Sequence, residues 1–120
     1  MPKKKLTPQD NAVLGDEELM EGLKKLDPEW GDYCIRVSGE AYSRPLISQK
    51  TKVLIALVVD IVEQLHGTQF ANHIEMAKKQ GITREEIEEL LFFMTVYVGF
   101  NKAGGYFPAI KEIFGPKQKA

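Results

Sequence analysis

Apolar positions recur at helical spacing along most of the chain, and Gly and Pro divide the pattern into about six helices. From Asp16 to Leu26, the residues Leu19, Leu23 and Leu26 share a face. Glu17, Glu18 and Glu21 come early there and Lys24 and Lys25 late, the order that suits a helix dipole. Asp27-Pro28-Glu29 starts a second helix, with Asp27 as N-cap and Pro28 at the first helical position, where its missing N–H costs little. That helix carries Trp30, Tyr33, Cys34 and Val37 and fades near residues 39–42. Pro45 disfavours helix at Arg44, so residues 43–47 form a connector.

The stretch from Leu46 to His66 holds neither Gly nor Pro, and nine of the ten residues from Val53 to Val62 are apolar. Its β-branched residues would also suit a buried strand; the unbroken length and helix-forming flanks favour a third, buried helix. Thr68 to Gln80 is a fourth, stopped by Gly81 in a left-handed cap position. Thr83-Arg84-Glu85-Glu86 is a capping box that opens a fifth helix, acidic at its start and strongly apolar from Leu90 to Phe100. A last helix spans about residues 102–114, weakened by Gly104-Gly105 and Pro108. The predicted fold class is all-α, a single-domain helical bundle. Helices apolar on nearly all sides need cover, which points to subunit contacts and an oligomer; one central helix packed by the other five would satisfy the same pattern.

Length and composition narrow the picture. With 120 residues, 43% of them apolar and 28% charged, the chain fits one globular domain, residues 1–120, with flexible tails expected at 1–8 and 115–120. A single cysteine excludes an internal disulfide, a CxxC redox pair and a Cys-rich zinc site. The lysine-rich start runs into polar residues, with no apolar stretch to form a secretory signal, so the cytoplasm is the expected compartment. No run is long enough to span a membrane. The net charge of −1 hides an asymmetry: 5 of the 16 basic residues sit at the ends, leaving 11 basic and 17 acidic side chains between residues 6 and 116. An acidic body with its lysines in the tails argues against nucleic acid as a partner.

Few residues can carry chemistry. His66 and His73 are the only histidines, on a stripe with Gln69, Met76 and Gln80, beside the apolar stripe Phe70, Ile74 and Ala77. His73 therefore sits at the border of core and surface, where an imidazole serves either as an acid/base group or as a plain hydrogen-bonding residue. The two histidines are two helical turns, about 10 Å, apart, too far to share a metal ion, and no metal is expected. Asp60 interrupts an apolar run and must be paired or face a polar cavity. Arg44 can clamp a carboxylate bidentately or simply pair with Glu40. Cys34 reads as a structural thiol, and Tyr97 offers a hydroxyl at the end of an apolar helix.

Taken in order, these segments resemble a known family. Gly39-Glu40-Ala41-Tyr42-Ser43-Arg44-Pro45 with Thr51-Lys52, then Asn72-His73-Ile74, Gly81-Ile82-Thr83-Arg84-Glu85-Glu86-Ile87 and Val96-Tyr97-Val98-Gly99 resemble the carboxymuconolactone decarboxylase family over about residues 30–110. The resemblance implies the all-helical alkylhydroperoxidase D-like fold and a ring-like hexamer. The redox branch of that superfamily carries a CxxC ahead of its histidine. Here His66 and Gln69 stand at the thiol positions before His73, which excludes thiol-based peroxide chemistry.

The remaining branch is cofactor-free and converts 4-carboxymuconolactone to an enol-lactone and carbon dioxide in aromatic catabolism, the β-ketoadipate route. On that resemblance the expected substrate is a small anionic lactone. His73 would be the general acid/base, Arg44 would hold a carboxylate or polarise the carbonyl, and Glu40 and Tyr97 would orient His73 or the substrate. Tyr42 and His66 would line the substrate site. Lys52 replaces the usual Arg, Tyr42 a common Trp, and Asn101-Lys102 a usual Pro-Ala, which bears on substrate choice more than on fold. The rival readings are a ring-forming binding or assembly protein without catalysis, and a lactone isomerase or hydrolase.

Overall fold

The computed structural model describes residues 5–116, so the outermost parts of both expected tails lie outside the described residues. Among the described residues every regular element is helical. The chain divides into two compact units, one ending at Val53 and the other beginning at Leu54.

The first unit contains α1 (Glu17–Leu26), α2 (Pro28–Tyr42) and the start of α3 (Gln49–Glu63). The predicted N-cap Asp27 is present, accepting from the Trp30 N–H at 2.8 Å, and Asp16 caps α1 in the same way, accepting from the Leu19 N–H at 3.1 Å. α1 packs on α2, and Gly31 permits the approach, because a Cβ there would lie 2.5 Å from the Leu23 carbonyl oxygen. Ahead of α1, buried Asn11 accepts from the N–H groups of Val13 and Leu14 and donates to the Gly39 carbonyl at 2.9 Å. Thr7, inside the expected tail, donates its N–H to Asp10 at 2.9 Å.

The second unit holds the rest of α3, α4 (Thr68–Lys79), α5 (Arg84–Val98), α6 (Phe100–Gly104) and α7 (Phe107–Phe114). Its buried residues include Leu57 and Ile61 on α3, Phe70, Ile74 and Ala77 on α4, and Ile87, Leu91 and Met94 on α5. The capping box between Thr83 and Glu86 is formed in both directions. α5 packs on α6 and α7.

Two boundaries differ from expectation. The last predicted helix is two short ones, because the chain turns at residues 105–106 to put the Tyr106 ring fully inside. The third is trimmed at both ends. Ser48 caps its start, accepting from the Thr51 N–H at 3.1 Å, and Gln64 ends it with a left-handed φ of 57°. There the Leu65 N–H bonds to the Asp60 carbonyl at 2.8 Å and the Gln64 N–H to that of Ile61 at 3.3 Å. Those paired bonds make a Schellman motif in which glutamine takes the place glycine usually fills.

No helix among the described residues is long and apolar enough to cross a membrane. In the second unit, α5 and the residue that opens α6 leave Phe92, Phe93, Val96, Tyr97 and Phe100 exposed, with Val96 at 77% and Phe100 at 84%. Phe92, Val96 and Phe100 line a groove of about 450 Å³ with Thr95, Gly104 and Phe107.

Candidate active site

The second unit gathers a polar cluster around the C-terminal turn of α3. Asp60 follows Leu57 by three positions and precedes Ile61, so it shares their inward face and has no exposed surface. A buried carboxylate needs partners, and it has them. His73 Nδ1 lies 2.5 Å from Asp60 Oδ2, and Gln69 donates from Nε2 to Asp60 Oδ1 at 3.3 Å. Gln69 and His73 are one helical turn apart on α4, so both reach the same carboxylate.

The Asp60 main chain is held as firmly as its side chain. Its carbonyl accepts from the Leu65 N–H and from the Tyr106 hydroxyl at 2.7 Å, and that hydroxyl also lies 2.9 Å from the Leu65 carbonyl. Burial, and then the charge of Asp60, hold the Tyr106 phenol above its ordinary range, so it remains a protonated donor. His66, in the loop before α4, stacks on the Tyr106 ring at 4.3 Å and 13°.

This arrangement decides what His73 can do. A carboxylate at Nδ1 fixes a proton there and turns Nε2 into the reactive nitrogen, while stabilising the imidazolium that forms when Nε2 is protonated. The side chain is 22% exposed, so it is held from within yet open to solvent. Among the described residues no group of His, Cys, Asp and Glu could hold a metal ion.

The model of the carboxymuconolactone decarboxylase family matches residues 28–112, well over half of the chain. The chain belongs to that family. A relative named 4-carboxymuconolactone decarboxylase, from Acinetobacter baylyi, is 23% identical over 106 residues, which cover 85% of this chain and 78% of that protein. No solved structure matches.

Against the family's motifs, the two units divide the expected site residues. His66 and His73 lie in the second unit and are linked through Tyr106 and Asp60. Tyr97, in the same unit, is 71% exposed on α5 and tilts against Phe93 at 5.4 Å. Glu40 and Arg44 lie in the first unit, both exposed, and Tyr42 there is half-buried. The carboxylate at His73 Nδ1 is that of Asp60, which the sequence marked as a paired acid without naming its partner. Tyr106 carried no signal at all, being one aromatic in a glycine-containing segment.

Part of the family motif in the first unit is architectural. Lys52 donates from Nζ to the carbonyls of Tyr42 at 3.1 Å and Arg44 at 2.5 Å, and Gln49 donates to the Tyr42 carbonyl at 2.6 Å. Lys52 thus places a positive charge at the C-terminal end of α2, where the helix dipole favours it. A point charge with three donors does this without the planar fork of arginine.

Proposed function

We propose that the protein is a cofactor-free decarboxylase of a small anionic lactone resembling 4-carboxymuconolactone, acting in aromatic catabolism in the cytoplasm, with His73 as its general acid/base. The observation that carries this reading is the 2.5 Å contact between buried Asp60 and His73 Nδ1, which leaves Nε2 to the substrate. Family membership and the distant relative named as a decarboxylase support the reaction class.

In this scheme the bond from ring carbon to carboxylate breaks and carbon dioxide departs. The electron pair passes into the ring and is taken up by the lactone carbonyl as an enolate. His73, protonated at Nε2, then delivers that proton to carbon. Asp60 offsets the imidazolium charge before transfer, and solvent returns a proton to Nε2 afterwards. Arg44 remains the candidate carboxylate clamp on the family resemblance, and Arg44→Ala tests it independently through KM.

Assembly into a homo-oligomer, a hexamer on the family pattern, belongs to the same proposal. The exposed aromatic run on α5 supports it, since a contiguous apolar surface of that kind marks an interface. The deciding experiment for the reaction is His73→Ala assayed for carbon dioxide release from 4-carboxymuconolactone. Loss of turnover in a folded variant is expected; turnover like the wild type removes His73 from the mechanism. Product analysis separates decarboxylation from isomerisation or hydrolysis.

A further inference from the structure

We infer that Tyr106 is a positioning residue for His73: its hydroxyl fixes the end of α3 and thereby sets the Asp60 carboxylate against the imidazole. The inference rests on the reading of His73 as the acid/base group for its consequence in turnover, and on geometry alone for its structural content.

Asp60 has to satisfy two demands at once. Its carboxylate must meet His73 Nδ1 at 2.5 Å, and its main chain lies in the last full turn of a helix. Helix ends fray, because their carbonyls lack partners. This end carries a further liability, since the motif that closes it needs a left-handed residue and finds Gln64, whose side chain makes that conformation unfavourable. Left to itself, such a turn would open and carry the Asp60 side chain with it.

Tyr106 opposes that opening. Its hydroxyl, 46 residues away in sequence, reaches the Asp60 carbonyl, which accepts the Schellman bond, at 2.7 Å and the carbonyl of Leu65, the residue whose N–H donates that bond, at 2.9 Å. The one hydroxyl proton lies between two acceptors, and at Asp60 it adds a second donor to the carbonyl that the Leu65 N–H already meets. The ring itself is immobilised: it is fully buried, stacked by His66 on one side and tilted against Phe70 at 4.6 Å. Gln64 adds a weaker tie, donating to the carbonyls of Ile61 at 2.6 Å and Lys102 at 3.3 Å. The hydroxyl touches no group of His73 and acts on it only through Asp60, so it is not a catalytic residue.

The test compares Tyr106→Phe, which removes only the hydroxyl, with Phe70→Leu, which loosens the packing against the ring and leaves the hydroxyl. Two quantities are read in each: the nitrogen-15 tautomer pattern of His73, recorded with the imidazole neutral and needing no substrate, and kcat for carbon dioxide release. The expected result is that Tyr106→Phe loses the pure Nδ1–H pattern and drops kcat about tenfold with KM changed less than about twofold, the scale of one lost hydrogen bond. Phe70→Leu lowers stability but keeps the wild-type pattern. An unchanged His73 pattern in Tyr106→Phe overturns the inference, as does an equal change in both variants. If Tyr106→Phe is too unstable for the spectrum, trimethylamine N-oxide restores the folded state for the same measurement. A protein in which Tyr106 controls the His73 pattern but releases no carbon dioxide keeps the positioning role and refutes the decarboxylase reading.

Discussion

Asp60 Oδ2 sits 2.5 Å from His73 Nδ1, joining the last turn of α3 to the middle of α4 across 13 residues of sequence. The carboxylate is fully buried and the imidazole is not. One partner is therefore enclosed by the protein and the other reaches solvent.

Replacing the carboxylate with its neutral isostere separates these roles. Asp60→Asn preserves shape but offers an amide in place of a second acceptor oxygen, which lets His73 adopt the wrong tautomer. Turnover is expected to fall by about a hundredfold or more, with helical content by circular dichroism unchanged. An Asp60→Asn protein with wild-type kcat would show that the pair contributes only to folding.

The packing of α1 on α2 makes a prediction about stability. A Cβ at Gly31 would meet the Leu23 carbonyl at 2.5 Å, a main-chain group that cannot step aside, whereas one at Gly39 would meet only the Leu14 side chain at 2.7 Å. Gly31→Ala is expected to cost about 1–3 kcal/mol in urea unfolding, and Gly39→Ala less, because side chains repack more easily than backbone.

Alkaline titration reports on Tyr106. Its phenol is pushed upward by burial and by Asp60, so the folded state holds its proton at a pH where the unfolded chain has released it. The stabilisation is complete below the ordinary tyrosine value of about 10 and is lost as pH rises through the higher folded value. The difference in unfolding free energy between wild type and Tyr106→Phe is therefore expected to shrink above about pH 10. A constant difference across that range would refute it.

The α5 face predicts assembly. Val96→Lys puts a charge on a residue 77% exposed, where a monomer tolerates it. Light scattering is expected to show a smaller species than wild type, with helical content intact; an unchanged mass would mean that this surface is not an interface.

What could be read from the sequence was local. Asp27 and the Thr83–Glu86 box declared themselves because caps depend on residues three positions apart. The His73 stripe emerged from helical spacing, and Asp60 from being the one charge in an apolar run. The pairing between them was not visible, because it depends on how the chain turns at Gln64, a residue with no preference for that conformation. Tyr106 was further from reach: its role rests on a contact spanning 46 positions, and no local pattern encodes that. Lys52 departs from the family's usual Arg, and the place of its ammonium on the carbonyls of Tyr42 and Arg44 had no local signal.

Trp30, the only tryptophan, lies on α2 in the first unit, half-exposed beside Tyr33. Its emission, excited at a wavelength that spares tyrosine, therefore follows the melting of α1 and α2. The helices that carry Asp60, His73 and Tyr106 are dark in that signal, and their unfolding is read from the histidine resonances instead.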